Sequence, residues 1–165
     1  TPKPSSAASD VYKRQIRKLD LIYQAHIKGA LAIIANAIIY AVIAWNNLSH
    51  LFLFAWLALL VSTVSIRLWS LYRWNQVKSQ IRTEREVKFW LRLVCSQLFM
   101  SGFGWGAIGF LAPTLNSNLQ VITSLIIASM TAGPLIYYVS SKIAMVCITA
   151  PALLGWALGL SLIHI

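Results

Sequence analysis

Long apolar runs alternate with short polar segments along most of the chain. GALAIIANAIIYAVIAW occupies 29–45, LFLFAWLALLVSTVSIRLWSL 51–71, LVCSQLFMSGFGWGAIGFLA 93–112, LQVITSLIIASMTAGPLIYYV 119–139 and IAMVCITAPALLGWALGL 143–160. A hydrocarbon core about 30 Å thick needs about 20 helical residues, and each run approaches that length. The first is a little short, but Lys28 can extend to the headgroups and let the helix begin near Ile27, which sets the span at 27–45. All five runs are too long for buried strands, and only a helix satisfies its backbone within one segment in lipid. The pattern predicts an all-α polytopic membrane helical bundle over 16–160. Five transmembrane helices are expected, with a cytoplasmic loop at 72–92.

Charge turns this pattern into an orientation. Of 165 residues, 14 are Lys or Arg and four are Asp or Glu, giving a net charge of +10 with 11% charged and 58% apolar residues. The basic residues lie between apolar runs instead of forming one basic face, so no nucleic-acid partner is expected. Arg17, Lys18 and Lys28 precede the first span, and Arg73, Lys78, Arg82, Arg85 and Lys88 lie between the second and third, bracketed by Arg67 and Arg92. Lys142 lies between the fourth and fifth, whereas NNLSH and PTLNSN carry neither Lys nor Arg. The positive-inside rule then places the N-terminus in the cytoplasm and the end of the fifth span in the periplasm. Arg67, near the end of its run, is expected to reach the headgroups. Trp45, Trp69, Trp74 and Trp90 fall near span ends, where indole N–H groups stay wet, while Trp56, Trp105 and Trp156 are expected to pack between helices. The segment 72–92, with Glu84 and Lys88 at helical spacing, reads as a helical hairpin resting on anionic headgroups.

The candidate chemistry is sparse. The acids are Asp10, Asp20, Glu84 and Glu86, and the histidines His26, His50 and His164; none forms a cluster with ligand spacing. No enzyme, metal or cofactor is therefore expected within these residues. Cys95 and Cys147 fall toward the cytoplasmic ends of their spans and imply no disulfide. SGFGWGAIG contains the glycine spacing of a dinucleotide fingerprint, but no strand precedes it. Gly102, Gly106 and Gly109 read instead as a face for close helix packing, and Ala128, Ala132, Ser129 and Gly133 as its partner surface on the fourth span. Pro134 and Pro151 interrupt their helices and offer a hinge, or a pocket with Ser129, Thr131, Tyr137 and Tyr138. Asn36 and Gln97 are candidate interhelical hydrogen-bond partners or pocket residues. Asn47-Leu48-Ser49 matches a glycosylation sequon, a weak pattern so close to the bilayer.

The two ends differ in character from the rest. TPKPSSAASDVYKRQ at 1–15 and SLIHI at 161–165 resemble translated sequencing-adapter read-through, and both are expected to be artefactual; a disordered native leader is the alternative for the first. Setting 1–15 aside removes three basic residues and one acid and leaves the basic bias in place.

IRLWSLYRW at the end of the second span, SGFGWGAIGFLAP in the third, and IIASMTAGPLIYYVSSK in the fourth, followed by a proline-bearing span, give the chain a recognisable outline. It resembles the N-terminal multi-pass membrane regions of bacterial signalling proteins, which precede diguanylate cyclase (GGDEF), phosphodiesterase (EAL) or sensor histidine kinase modules. The resemblance covers about 16–160 and carries no catalytic residue. It implies a sensory or anchoring domain in the inner membrane, truncated before a sixth span and an output module, with scope for a homodimer and for a small-molecule ligand of unknown identity. A fragment of a multi-pass small-molecule transporter is the alternative.

Overall fold

The structure, a computed structural model, describes residues 6–81, 83–138 and 141–161, with the side chains of 6–12 and 135–137 excepted. Residues 1–5 of the expected leader, 162–165 of the expected tail, Arg82 and Val139 lie outside the described residues. Five helices follow one another: α1 (Ser6–Ala44), α2 (His50–Val77), α3 (Glu84–Leu111), α4 (Ser117–Tyr137) and α5 (Lys142–Ser161), with a 3-10 turn at Ala112–Thr114. No strand occurs among the described residues. Four helical segments are long and apolar enough to cross a membrane: Lys13–Ala44, His50–Val77, Glu84–Thr114 and Lys142–Ser161. The fourth expected span coincides with α4, a helix of 21 residues outside that group. Residues 6–15 continue α1 as helix.

Local capping sets most of the boundaries. The Ser49 hydroxyl accepts the Phe52 N–H at the start of α2, and the Asn116 carboxamide oxygen accepts the Leu119 N–H at the start of α4. α3 opens on a capping box in which Thr83 and Glu86 satisfy each other's backbone N–H groups. These caps revise the expected loop. α2 runs on to Val77 and α3 starts at Glu84, so only 78–83 connects them.

Short connections make successive helices antiparallel, so α3 and α5 run in the same direction. α1 packs on α2 and α4, α2 on α3, α3 on α5 and α5 on α4, closing a ring across which α3 also touches α1 and α4. α3 is the central helix: 56% of its apolar window is buried, against 33% for α1 and for α2. Outer faces carry Leu31, Val42, Leu51 and Leu125, each exposed by 65% or more, as suits lipid and not water.

The glycine face of α3 packs where close approach was expected but against a different partner. A Cβ on Gly102 would collide with the Ile148 carbonyl, one on Gly106 with the Pro151 carbonyl, and one on Gly109 with Trp156 of α5 and Ile127 of α4. Conversely, Gly155 and Gly159 of α5 leave space for the backbones of Gly106 and Gly109. The interface is therefore glycine against glycine between α3 and α5, with Pro151 seated beside Gly102. Ala128, Ala132 and Ser129 are exposed, and α4 presents Thr123, Ile126, Ile127 and Met130 inward instead. The correction has a simple cause: α4 offers bulky side chains to its neighbours, and only α5 has a backbone bare enough to approach α3.

Two apolar clusters fill the bundle. The first joins Tyr40, Trp56, Trp105 and Met130; Trp56 packs edge-on to Trp105 at 5.3 Å and donates its N–H to the Gly104 carbonyl at 2.9 Å. At that end of the bundle, Asn116 donates to the Asn47 carboxamide at 2.9 Å, tying the two uncharged connections together. The second cluster joins Tyr23, Trp74, Val94 and Tyr138. Trp74 stacks on Tyr23 at 5.0 Å and lies wholly buried, so its N–H is not wet: it donates to the Asp20 carboxylate at 3.0 Å. Lys78 bridges to the same oxygen at 2.9 Å, so one carboxylate staples α1 to α2. Trp45 and Trp69, by contrast, are exposed as expected for span ends.

Asp20 lies outside the uncharged run expected to span at 27–45. Burial pushes its carboxyl up, but hydrogen bonds from Lys78 and Trp74, with the Lys78 charge, outweigh that and hold it below the ordinary carboxylate range. A carboxyl held low in the fold adds stability above its unfolded value and loses it as pH falls through the folded one. Thermal stability in detergent should therefore decline on acidification below about pH 4. Asp20→Ala, which strands the buried Trp74 N–H, should cost about 1–3 kcal/mol at neutral pH and flatten that decline. Gly106→Ala should cost about 1–3 kcal/mol by forcing α3 from α5, whereas at Gly104, where the new methyl meets only the side chains of Leu60 and Leu59, alanine should be close to neutral. Equal melting of the two glycine variants would refute the close backbone contact.

Candidate functional site

Between the two apolar clusters runs a belt of polar side chains. On α2, Arg67 and Ser70 are three residues apart, and on α3, Gln97 and Ser101 are four apart, so each pair shares a helix face. Arg67 Nη2 donates to the Ser101 hydroxyl at 2.9 Å, and the Ser70 hydroxyl is shared between the Arg67 carbonyl and Gln97 Oε1, at 2.9 and 3.3 Å. Gln97 thus links α2 and α3, as read from its position. Asn36 largely turns back on its own helix, donating to the Ala32 carbonyl at 2.9 Å with a long contact to Met130 Sδ.

Arg67 is the residue whose placement changes most. It is 1% exposed, buried inside the bundle where an outward reach along its own stem was expected. α2 continues for ten residues beyond it, about 15 Å of helix, and its face of α2 points into the bundle. Its Nε has no hydrogen-bond partner, nor does either nitrogen of His26 or the Tyr138 hydroxyl, all of them buried. His26 packs edge-on to Tyr23 at 5.0 Å and to Tyr138 at 6.5 Å, which places it at the rim of the same belt.

A cavity of about 130 Å³ opens against this cation. Gly29, Ala32, Ile33 and Asn36 of α1 line one side; Ser129, Met130, Gly133 and Pro134 of α4, with Tyr138, line the other; Arg67 of α2 and Ile148 of α5 complete it. Pro134 lacks the N–H that would bond the Met130 carbonyl, so the helix is locally released where it borders the cavity. Of the residues expected at a pocket or hinge, Pro134, Asn36, Ser129 and Tyr138 line the cavity, while Pro151 and Gln97 lie elsewhere, in the α3–α5 contact and the α2–α3 bridge. Thr131 bonds back to the carbonyls of Ile127 and Ala128, and the side chain of Tyr137 lies outside the described residues.

Charge balance at the site is one-sided. Asp20 is committed to Lys78 and Trp74, Glu84 to Lys88 at 2.8 Å, and Glu86 to the capping box, all toward the end of the bundle that holds the α2–α3 connection. The only other acid, Asp10, precedes Arg67's neighbour Gly29 by five turns of α1. Cys95 and Cys147 come together across α3 and α5 as free thiols. Among the described residues no group of three or more His, Cys, Asp or Glu could hold a metal ion. Compared with protein-family models, curated proteins and solved structures, the chain matches none.

A buried cation without a counter-charge costs stability that a well-packed apolar residue would not. Arg67→Met should therefore leave the empty protein at least as resistant to thermal unfolding in detergent as the parent. Ser101→Ala, which removes the one hydrogen-bond partner of the guanidinium among the described residues and keeps the charge, should lose about 1–3 kcal/mol. A large loss with Arg67→Met would make the arginine a structural strut.

Proposed function

We propose that the chain is a membrane-embedded sensory or anchoring domain of a bacterial signal-transduction protein, acting on a cytoplasmic output module outside these residues. All five helices span the inner membrane in this reading, α4 included, with the N-terminus in the cytoplasm. The basic residues of the α2–α3 connection and Lys142 then face the cytoplasm, and the Asn47–Asn116 contact the periplasm. The observation that carries the sensory part is the cavity at Arg67. Four helices border it, so an occupant that moved one of them would alter the packing of the bundle, and small shifts at a packed site are readily converted into discrete rearrangements. Intramembrane ionisable residues are costly to keep and for that reason mark functional sites.

Anchoring alone would need the apolar exterior and the α3–α5 contact but no buried cation. Transport would need a path across the bilayer, and along α4 the cavity is bordered only by the last turns, Ser129 to Tyr138. The sensory reading uses both the exterior and the cavity, which is why it is preferred.

A periplasmic reporter fused after Asn46 should be active and one fused after Lys78 silent, and the reverse pattern would overturn the topology. The genetic locus beyond Leu160 should continue into a further span and then a GGDEF, EAL or kinase module. Four or five additional spans would replace signalling with transport.

A further inference from the structure

The unpaired cation and the shape of its cavity narrow the occupant to one chemical class. A guanidinium carries five N–H donors and one full charge. Here one donor is used by Ser101, Nε has no partner, and no carboxylate of the described residues faces the group. Gly29 leaves open the point where two further donors converge: a Cβ there would stand 3.7 Å from Arg67 Nη1 and 3.6 Å from the Tyr138 hydroxyl. An acceptor in the cavity over Gly29 would lie between a charged donor from α2 and a neutral one from the end of α4. Of the remaining walls, Ala32, Ile33, Met130 and Ile148 are apolar and Asn36 and Ser129 are uncharged, and a space of about 130 Å³ holds more than one water-sized group.

We infer that the cavity is a binding site for a small monocarboxylate, its carboxylate held between Arg67 and Tyr138 and its short apolar body against Ile33, Met130 and Ile148. A single positive charge is balanced by a single negative one, whereas a phosphate dianion would leave a net charge buried among apolar walls. A halide would satisfy the charge and leave the apolar part of the cavity empty. The planar carboxylate is also the natural complement of guanidinium donors. This inference deepens the sensory reading and rests on it for the meaning of the binding, though not for the binding itself.

The full chain in phosphatidylcholine nanodiscs, which supply no anionic headgroup, can be titrated with propionate at constant ionic strength while thermal unfolding is followed. Propionate should raise the melting temperature saturably. The uncharged isostere propionamide, chloride and inorganic phosphate should not. Arg67→Met should abolish the shift, and Tyr138→Phe should weaken apparent affinity about tenfold, the loss of one hydrogen bond to a charged group. Gly29→Val keeps the cation and fills the point of convergence, so it should also abolish the shift in a protein that still folds. Equal shifts with propionamide, a shift with chloride or phosphate as large as with propionate, or a propionate shift retained in Arg67→Met would each overturn the assignment. A chain with the expected topology and no propionate response is an anchor without this site. Propionate binding in a chain of reversed topology upholds the site and discards the signalling orientation.

Discussion

Everything else in the bundle is arranged around the approach of α3 to α5. Two parallel helices that are not neighbours in sequence come together at backbone distance because Gly102, Gly106 and Gly109 face Pro151, Gly155 and Gly159. In lipid, where apolar side chains gain little by leaving one another's company for a neighbouring helix, close van der Waals contact is the chief source of association. Once α5 is drawn onto α3, α4 must lie across their seam with its larger residues inward, and α1 and α2 close the ring. The cavity at Arg67 is a product of that geometry. α4 borders it with Gly133 and Pro134 and α1 with Gly29 and Ala32, short side chains that leave the space between the two helices open.

The bundle is stratified along its length. One apolar cluster is organised by Trp56 and Trp105, the other by Tyr23 and Trp74, and between them Arg67, Ser70, Gln97 and Ser101 form a polar layer. A polar layer weakens packing relative to an apolar one, since each of its groups must find a partner or remain desolvated without one. Here several remain so, and stability is given up at the one level where a ligand could restore it.

Much of this was legible from the sequence, and the parts that were not share a cause. Helix number, the apolar exterior and the packing role of Gly102, Gly106 and Gly109 follow from run length, composition and spacing. The partner of that glycine face was misjudged because Ala128 and Ala132 look like a complementary stripe, yet the decisive signal, Gly155-x-x-x-Gly159, stands in the fifth run in the same form. Thr83-x-x-Glu86 is likewise a visible capping box that shortens the expected loop. Arg67 was harder. A cation near the end of an apolar run normally escapes along its own stem to the interface, and only the continuation of α2 to Val77 and the facing of Ser101 show that this one does not. Asn36, Ser129 and Pro134 could be named as pocket residues, but the charge that gives the pocket its chemistry arrives from a different helix, a tertiary fact that spacing does not encode.

α1 is 39 residues long, about 58 Å of helix, nearly twice the thickness of a hydrocarbon core. Asp20 clamps its N-terminal half to the last turns of α2 through Trp74 and Lys78. A rod that tilts about a pivot in the bilayer sweeps its far tip through the largest arc. In the sensory reading proposed above, a small displacement beside Gly29 and Arg67 becomes a larger one at the far end of α1, a mechanical gain that follows from helix length alone.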